Sequence, residues 1–364
     1  MSLATSPWFL ALAGLAAGFV LGFAARANHF CTMSALERYW YAADSRGLRT
    51  WILAGTVALV ATQALQAGGL IDTGDSFYIR SDFAWIGAIA GGIAFGFGMA
   101  LVGTCGFGAL VRLGGGSLRS LIVLVVLGLA AMSAQKGLIA QARVALSDNY
   151  AIDLSDKGGQ SLGALISWFA GADLSLLVAA LVAVAMAAWI FSDAAYRRQF
   201  GSIATGTIIG LVIAFGWWAT SYAAANSFDV VQIEAGSFVV PVADTILQAI
   251  AFTGVLPDYG VGLVLGVVAG SAVCAFRQHD VRWEACDDAR ELGRHLAGGA
   301  LMGIGGVFAM GCTIGQGVTA VSALAISAPV VLASIFVGAR MGLAYLIEGS
   351  PLEAFRSLSR QPAE

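Results

Sequence analysis

The sequence predicts an all-α, polytopic membrane protein of about nine helices, and three observations carry that expectation. Of the 364 residues, 59% are apolar and only 11% are charged, where a soluble domain is nearer half apolar and a quarter charged; the mean hydropathy is +0.82. The apolar residues come in runs of about 18 to 20, enough to cross ~30 Å of hydrocarbon at 1.5 Å per residue. Glycine, at 47 residues, exceeds what helix packing alone asks for, which predicts close helix approach and broken or re-entrant segments. The Leu/Ala/Val blocks do not alternate as barrel strands would. The same composition excludes disorder, and no basic stripe suits a nucleic acid. A net charge of −3 says nothing about partners.

Taken in order, apolar runs between charged or turn-forming gaps place spans at 8–25, 51–69, 83–103, 117–136, 174–191, 201–221, 258–275, 295–311 and 329–347. No basic segment precedes the first run, so it reads as a span and not as a cleaved signal peptide. Gaps on one side hold fourteen basic residues: Arg26, Arg38, Arg46, Arg49, Arg112, Arg119, Arg197, Arg198, Arg277, Arg282, Arg290, Arg294, Arg356 and Arg360. The opposite gaps hold Arg80, Lys136, Arg143 and Lys157 among the acids Asp72, Asp75, Asp148, Asp153 and Asp156. The positive-inside rule then puts the N-terminus on the periplasmic side and the C-terminus in the cytoplasm.

An internal repeat emerges when the glycines are aligned. Segment 91–108 reads GGIAFGFGMALVGTCGFG and 298–315 reads GGALMGIGGVFAMGCTIG. At an offset of 207, Gly91, Gly92, Gly96, Gly98, Cys105 and Gly108 fall on Gly298, Gly299, Gly303, Gly305, Cys312 and Gly315. Chance placement would give about 0.3 Gly–Gly coincidences in such a window, so the match is signal. A weaker echo links GFVLG (18–22) to GLVLG (262–266). With one copy running inward and the other outward, the sequence predicts one transporter domain over 1–364, built of inverted repeats at about 8–136 and 201–347.

Each repeat carries a glycine-framed cysteine: Gly103-Thr104-Cys105-Gly106-Phe107-Gly108 and Gly311-Cys312-Thr313-Ile314-Gly315-Gln316-Gly317. So many glycines stop a helix, and short helices are expected after the breaks, near Ala109–Leu113 and Val318–Ala325, with their N-terminal amides facing the break. Unwound backbone at membrane depth must line a cavity or lie buried in protein, and a helix N-terminus there favours an anion. A third cysteine follows the first span in Asn28-His29-Phe30-Cys31-Thr32-Met33-Ser34. A lone membrane cysteine is usually filler; duplication raises Cys105 and Cys312 above that, whereas Cys274 and Cys286 lack the glycine frame. The five cysteines include no CxxC and no metal-finger spacing, and no cofactor or metal is expected. Intramembrane Arg340 is a functional candidate by default, with a bland alternative as a helix-end tie; Lys136 closes the fourth span. His29 and Gln316 are further polar candidates, and Phe95, Phe97 and Phe107 are expected to pack the broken helices and narrow the path.

The phrases HFCTMSA (29–35), GTCGFG (103–108) and GCTIGQG (311–317) on a nine-span chain resemble the YeeE/YedE family of bacterial membrane thiosulfate transporters over essentially the whole length. The resemblance implies an hourglass-shaped inner-membrane protein that imports thiosulfate along Cys31, Cys105 and Cys312. It also implies a cytoplasmic, TusA-like sulfur-carrier partner (YeeD-like), expected here as a separate protein because the chain ends soon after its last span. The residues themselves add Thr32, Thr104, Gly106, Gly108, Gly311, Thr313, Gly315 and Gln316 as substrate-path candidates, with His29 and Arg340 ranked below them.

Thiols suit such a cargo. Thiosulfate is a dianion with a soft terminal sulfur and hard oxygens; a neutral S–H is a weak donor to the former, and amides and hydroxyls suit the latter. Thiolates would repel it, so the cysteines are expected to stay protonated, and sites of modest strength let the anion leave again. Two alternatives stay open: transport of another sulfur or selenium compound, and a membrane thiol oxidoreductase. The latter would show a CxxC or a resolving pair and an exposed thiol.

Overall fold

The computed structural model describes residues 8–350 apart from 156–158, 173, 228–229 and 254–256; Asp156, Lys157, Arg356 and Arg360 lie outside the described residues. The described chain is built of helices: α1 (Phe9–Ala27), α2 (Thr32–Ala42), α3 (Arg46–Ala67), α4 (Trp85–Val102), α5 (Gly106–Gly114), α6 (Leu118–Lys136), α7 (Leu138–Leu146), α8 (Leu162–Ala170), α9 (Ser175–Phe191), α10 (Phe200–Asn226), α11 (Val240–Ile250), α12 (Tyr259–Arg277), α13 (Ala289–Phe308) and α14 (Ser327–Glu348). The strands described are β1 (Asp82–Phe83) and β2 (Ile152–Asp153), an antiparallel pair of two residues each.

Among the described residues, seven helical stretches are long and apolar enough to cross a membrane: Phe9–Ala42, Arg46–Ala67, Trp85–Gly114, Leu118–Lys136, Phe200–Asn226, Tyr259–Arg277 and Ser327–Glu348. The protein is an all-α polytopic membrane protein. The two other expected spans fall on α9, of 17 residues, and on α13, of 20 residues. α13 begins six residues before the expected boundary, because Asp288 caps it by accepting from the Glu291 amide while Glu291 accepts from the Asp287 amide. That reciprocal pair satisfies two orphan N–H groups and carries the helix out into the polar region.

Small residues set the packing. A Cβ built on Gly14, Gly18 or Gly22 of α1 would lie 2.1 Å from the carbonyl oxygen of Tyr259, Leu263 or Val267, and Gly262, Gly266 and Gly270 of α12 meet Ala11, Leu15 and Phe19 in return. These rising pairs make α1 and α12 parallel, with a Gly-xxx-Gly-xxx-Gly stripe on each face. The GFVLG/GLVLG echo is this stripe.

The glycines of the 207-residue repeat do their work between and around α4 and α13. A Cβ built on Gly91 would lie 2.6 Å from the Gly305 carbonyl oxygen and one on Gly98 2.6 Å from that of Gly298, and each relation is returned by the partner glycine. One index rises as the other falls, so these two helices are antiparallel. On its outer side a Cβ on Gly96 of α4 would collide with the Ile335 carbonyl of α14, and one on Gly303 of α13 with the Leu127 carbonyl of α6. α14, α4, α13 and α6 therefore stand side by side. Gly206 and Gly210 of α10 approach Thr50 and Ala54 of α3 in parallel.

Backbone at a glycine stripe has no room to retreat, because the obstacle is a carbonyl and not a flexible side chain. Gly18→Ala is expected to lower the thermal stability of the purified protein in detergent, at a cost of about 1–3 kcal/mol or more for overpacking. Gly293→Ala on α13, where nothing lies within 4 Å, should instead stabilise by about 0.5–1 kcal/mol through helix propensity. Equal shifts for the two variants would refute the packing assignment.

Candidate functional site

Three short helices begin at cysteine, each by the same backbone device. A long helix ends, one residue turns left-handed, one more follows, and an extended or unassigned cysteine opens the next helix. The left-handed residues are His29 (φ 52), Gly103 (φ 76) and Met310 (φ 53), each two positions before Cys31, Cys105 or Cys312. Cys31 and Cys105 are the N-caps of α2 and α5, with extended φ/ψ of −148/126 and −85/174. After Cys312 the backbone is helical from 313 to 322, with a π-helical turn at Gly315–Ala320. Both helices of the repeat thus start earlier than sequence alone suggests, since the cysteine itself supplies the cap.

Sulfur makes a loose cap. The Gly108 amide donates to Cys105 Sγ at 3.5 Å, the Gly315 amide donates to Cys312 Sγ at 3.4 Å, and Cys31 accepts no capping bond. Where another described α-helix has a side-chain cap, the acceptor is oxygen: Ser117 accepts from Ser120 at 3.3 Å, Asp258 from Val261 at 2.8 Å and Asp288 from Glu291 at 2.6 Å. Long N–H···S contacts leave the first-turn amides underused and the N-terminal dipole uncompensated, which favours an anion.

The three starts converge. Cys31 Sγ and Thr104 Oγ1 lie 3.9 Å apart, and the Thr32 hydroxyl donates to that of Thr313 at 3.4 Å. Thr313 also meets the Cys105 thiol, which has Cys31 and Cys312 as neighbours. Phe30, Phe107 and Phe238 form an aromatic file through the same region, with ring centroids 6.4 and 4.9 Å apart. Gly106 passes the Phe238 carbonyl and Gly108 leaves space under Thr104. Cys105, Cys312, Thr104 and Thr313 are each no more than 1% exposed, so the centre is sealed.

Cavities approach this centre from both ends. On the arginine-rich side, a cavity of about 340 Å³ runs from Arg26, Arg112, Arg119 and Arg282 down to Thr104. A second, of about 270 Å³, reaches Cys31 past His29, Arg38 and Arg46. On the other side, a cavity of about 560 Å³ holds Arg80, Lys136 and Arg143 with Glu234, Asp244 and Asp258, and ends at Ser237 and Gly311. The half-buried Glu234, in the irregular segment between α10 and α11, has its carboxyl raised to about 8 by desolvation, with Asp258 and Asp244 adding to the effect.

Residues 27–341, which include all three cysteine helices, match the family model for sulphur transport. The chain belongs to the sulphur-transport family. It is similar to the thiosulfate transporter TsuA of Escherichia coli (strain K12), at 26% identity over 316 residues covering 84% of this chain and 86% of the relative. It is likewise similar to the thiosulfate transporter TsuA of Spirochaeta thermophila, at 25% identity over 335 residues, 89% of this chain and 94% of that one.

For this family member the other sequence candidates take separate places. The Gln316 amide donates to the Ala309 and Met310 carbonyls at 2.9 and 3.1 Å and accepts from Ser327, which closes the break at the end of α13. Gly311, at φ 156, lies against its side chain. The Arg340 guanidinium sits over Tyr41 at 4.9 Å and Trp40 at 5.6 Å, at the far end of α2 from Cys31. Exposed His29 lines the cavity beside Cys31. Phe95 packs fully buried near Gly306 and Phe97 meets Tyr345, so Phe107 alone of the three joins the central file. Cys274 is buried in α12 and Cys286 lies in the loop before α13.

Sequence reasoning missed Tyr78, Glu234, Ser237 and Phe238. Residues 235–239 are buried without regular secondary structure up to α11, and Thr319 holds them by donating to the Gly236 carbonyl at 2.7 Å and accepting from its amide at 3.2 Å. Buried irregular chain of this kind has no hydropathy signature. The burial order predicts thiol reactivity: brief maleimide treatment followed by peptide mass spectrometry should label half-exposed Cys31 and Cys286 well before Cys105 and Cys312. Early labelling of Cys312 would contradict a sealed centre.

Proposed function

We propose that this protein imports thiosulfate, or a closely similar inorganic sulfur anion, across the bacterial inner membrane without covalent chemistry. The observation that carries the reading is the convergence of three cysteine-capped helix N-termini, joined by threonine hydroxyls, between cavities entering from opposite ends. Membership of the sulphur-transport family and the similarity to two thiosulfate transporters support the choice of cargo.

The anion enters by the cavity at Lys136 and Arg143, meets Cys312, passes Cys105 with Thr313 and Thr32, and leaves by Cys31 and Thr104 toward the arginine-rich cytoplasmic mouth. At each station the protonated S–H faces the soft terminal sulfur, while amides and hydroxyls take the oxygens. The N-terminus is periplasmic and the C-terminus cytoplasmic. Two inverted repeats, about 8–136 and 201–347, build the path; the antiparallel α4–α13 pair and its returned glycine contacts support this arrangement. A cytoplasmic TusA-like carrier collects the product of transport. His29 at the inner mouth and Arg340 behind α2 are outside the direct line.

Uptake of labelled thiosulfate by proteoliposomes, with sulfite, sulfate and selenium analogues as competitors, tests the reading. A protein that moves sulfate in preference to thiosulfate would refute it. If the thiol is the working group, Cys312→Ser should slow uptake at least tenfold, equivalent to about 1.4 kcal/mol, because a hydroxyl is a harder donor that pairs poorly with soft sulfur. Disulfide reductants should leave the parent rate unchanged.

A pH dependence follows from Glu234. Its carboxyl is neutral below about pH 8 and anionic above it, and an ionised carboxylate in the entry cavity repels a dianion. Uptake should therefore fall as the outer pH rises through this range, and Glu234→Gln should flatten that limb of the profile. An identical profile for the variant would show that another group sets it.

A further inference from the structure

Tyr78 is a fully buried phenol, 0% exposed, whose hydroxyl has no hydrogen-bond partner. It lies in the segment between α3 and α4 and is held in place by its ring: Phe77 packs on one side with centroids 3.9 Å apart, and Trp217 meets it edge-on at 6.4 Å. Its oxygen is aimed at the start of the helix that follows Cys312. A Cβ on Gly315 would sit 2.7 Å from Tyr78 Oη and 3.2 Å from Ser237 Oγ. The Ser237 hydroxyl is a close neighbour without the geometry of a hydrogen bond, and Cys312 and Glu234 are the other polar groups nearby. Buried hydroxyls are nearly always paired, so an orphan beside an anion-favouring helix N-terminus needs an explanation.

The repeat supplies one. Gly315 and Gly108 are equivalent at the 207-residue offset, and each provides the third amide of its helix to a cysteine sulfur. Over Gly108 the open space is taken by Thr104 Oγ1, with Cys31 Sγ behind it. Over Gly315 no local residue supplies a hydroxyl, because Gly311 stands where Thr104 stands in the first copy. Tyr78 and Ser237 bring hydroxyls to that place from distant segments.

We propose that Tyr78, assisted by Ser237, is a specificity-determining residue of the Cys312 station: its hydroxyl donates to an oxygen of the bound sulfur oxyanion, while Cys312 faces the soft sulfur. This inference rests on the transport reading above and deepens it. The two ends of the cargo are read by two chemistries, so an anion that lacks either the oxygens or the terminal sulfur binds less well. The phenol keeps its proton throughout; it orients and selects without changing charge.

The test is kinetic and thermal, on the full-length protein with thiosulfate as probe. Tyr78→Phe should raise the KM for thiosulfate uptake in proteoliposomes at least tenfold with the maximal rate within about twofold, the loss expected for one hydrogen bond to a charged group. Without thiosulfate, the thermal midpoint of the variant in detergent should equal or exceed the parent's, because an unpaired buried hydroxyl has been removed; the midpoint gain on adding thiosulfate should shrink. Ser237→Ala, a smaller change, should raise KM by roughly threefold to tenfold. An unchanged KM and an unchanged thiosulfate-induced midpoint shift in Tyr78→Phe would overturn the assignment. So would a lowered ligand-free midpoint with unchanged KM, which would make Tyr78 a packing residue. Failure of the parent itself to transport or bind thiosulfate would instead bring down the transport reading, and this inference with it.

Discussion

Every amide and carbonyl inside a bilayer must find a partner within the protein, and the structure depends on how three helix interruptions meet that requirement. Each interruption frees carbonyls at the end of one helix and amides at the start of the next. The carbonyl side is closed firmly: a left-handed residue at 29, 103 or 310 folds the last amides back onto the preceding turn, and Gln316 covers two further oxygens behind Cys312. The amide side is closed loosely, by sulfur at 3.5 and 3.4 Å at Cys105 and Cys312 and by no side-chain bond at Cys31. That asymmetry turns a structural necessity into a set of anion-favouring points, positive at the N-terminus and weakly occupied.

Glycine makes the arrangement possible by letting helices touch along their backbones. Between α4 and α13 the contacts are reciprocal, so the two cysteine helices that follow are carried into the same region from opposite directions. The α1–α12 stripe does the same for Cys31, since α1 leads directly into the third break. A side chain at these positions would separate the helices by an ångström or more, enough to break contacts such as Thr32–Thr313 at 3.4 Å. Packing and site geometry are in this sense one property.

The chemistry at the centre is graded in hardness and not in charge. Charged residues gather in the cavities at both ends, whereas the sealed interior offers thiols, hydroxyls, amides and aromatic faces. For the proposed dianionic cargo, a buried lysine or arginine would hold it too long, whereas neutral donors in a low-dielectric setting would replace part of its hydration and still let it exchange. The aromatic file of Phe30, Phe107 and Phe238 is buried beside those donors.

Local composition determined a good deal without any structure. Hydropathy runs located the long helices, since a segment that spans lipid must be apolar along its whole length, and the 207-residue offset singled out Gly91, Gly98, Cys105 and Cys312, since duplicated backbone contacts demand the same small residues. The equivalence of Cys31 to the other two was invisible in spacing, because no glycine stands around it in Asn28-His29-Phe30-Cys31-Thr32 and it lies outside the 207-residue repeat. Only the tertiary structure decided that Gln316 seals a chain break, that Arg340 stacks on α2, that Tyr78, Ser237 and Phe238 stand at the centre, and that Glu234 lines the cavity beside it. Those four reside in irregular segments whose local sequence answers to no periodicity. Their positions are set by the cavity left between packed helices, a property of the assembled bundle that no window of the chain contains.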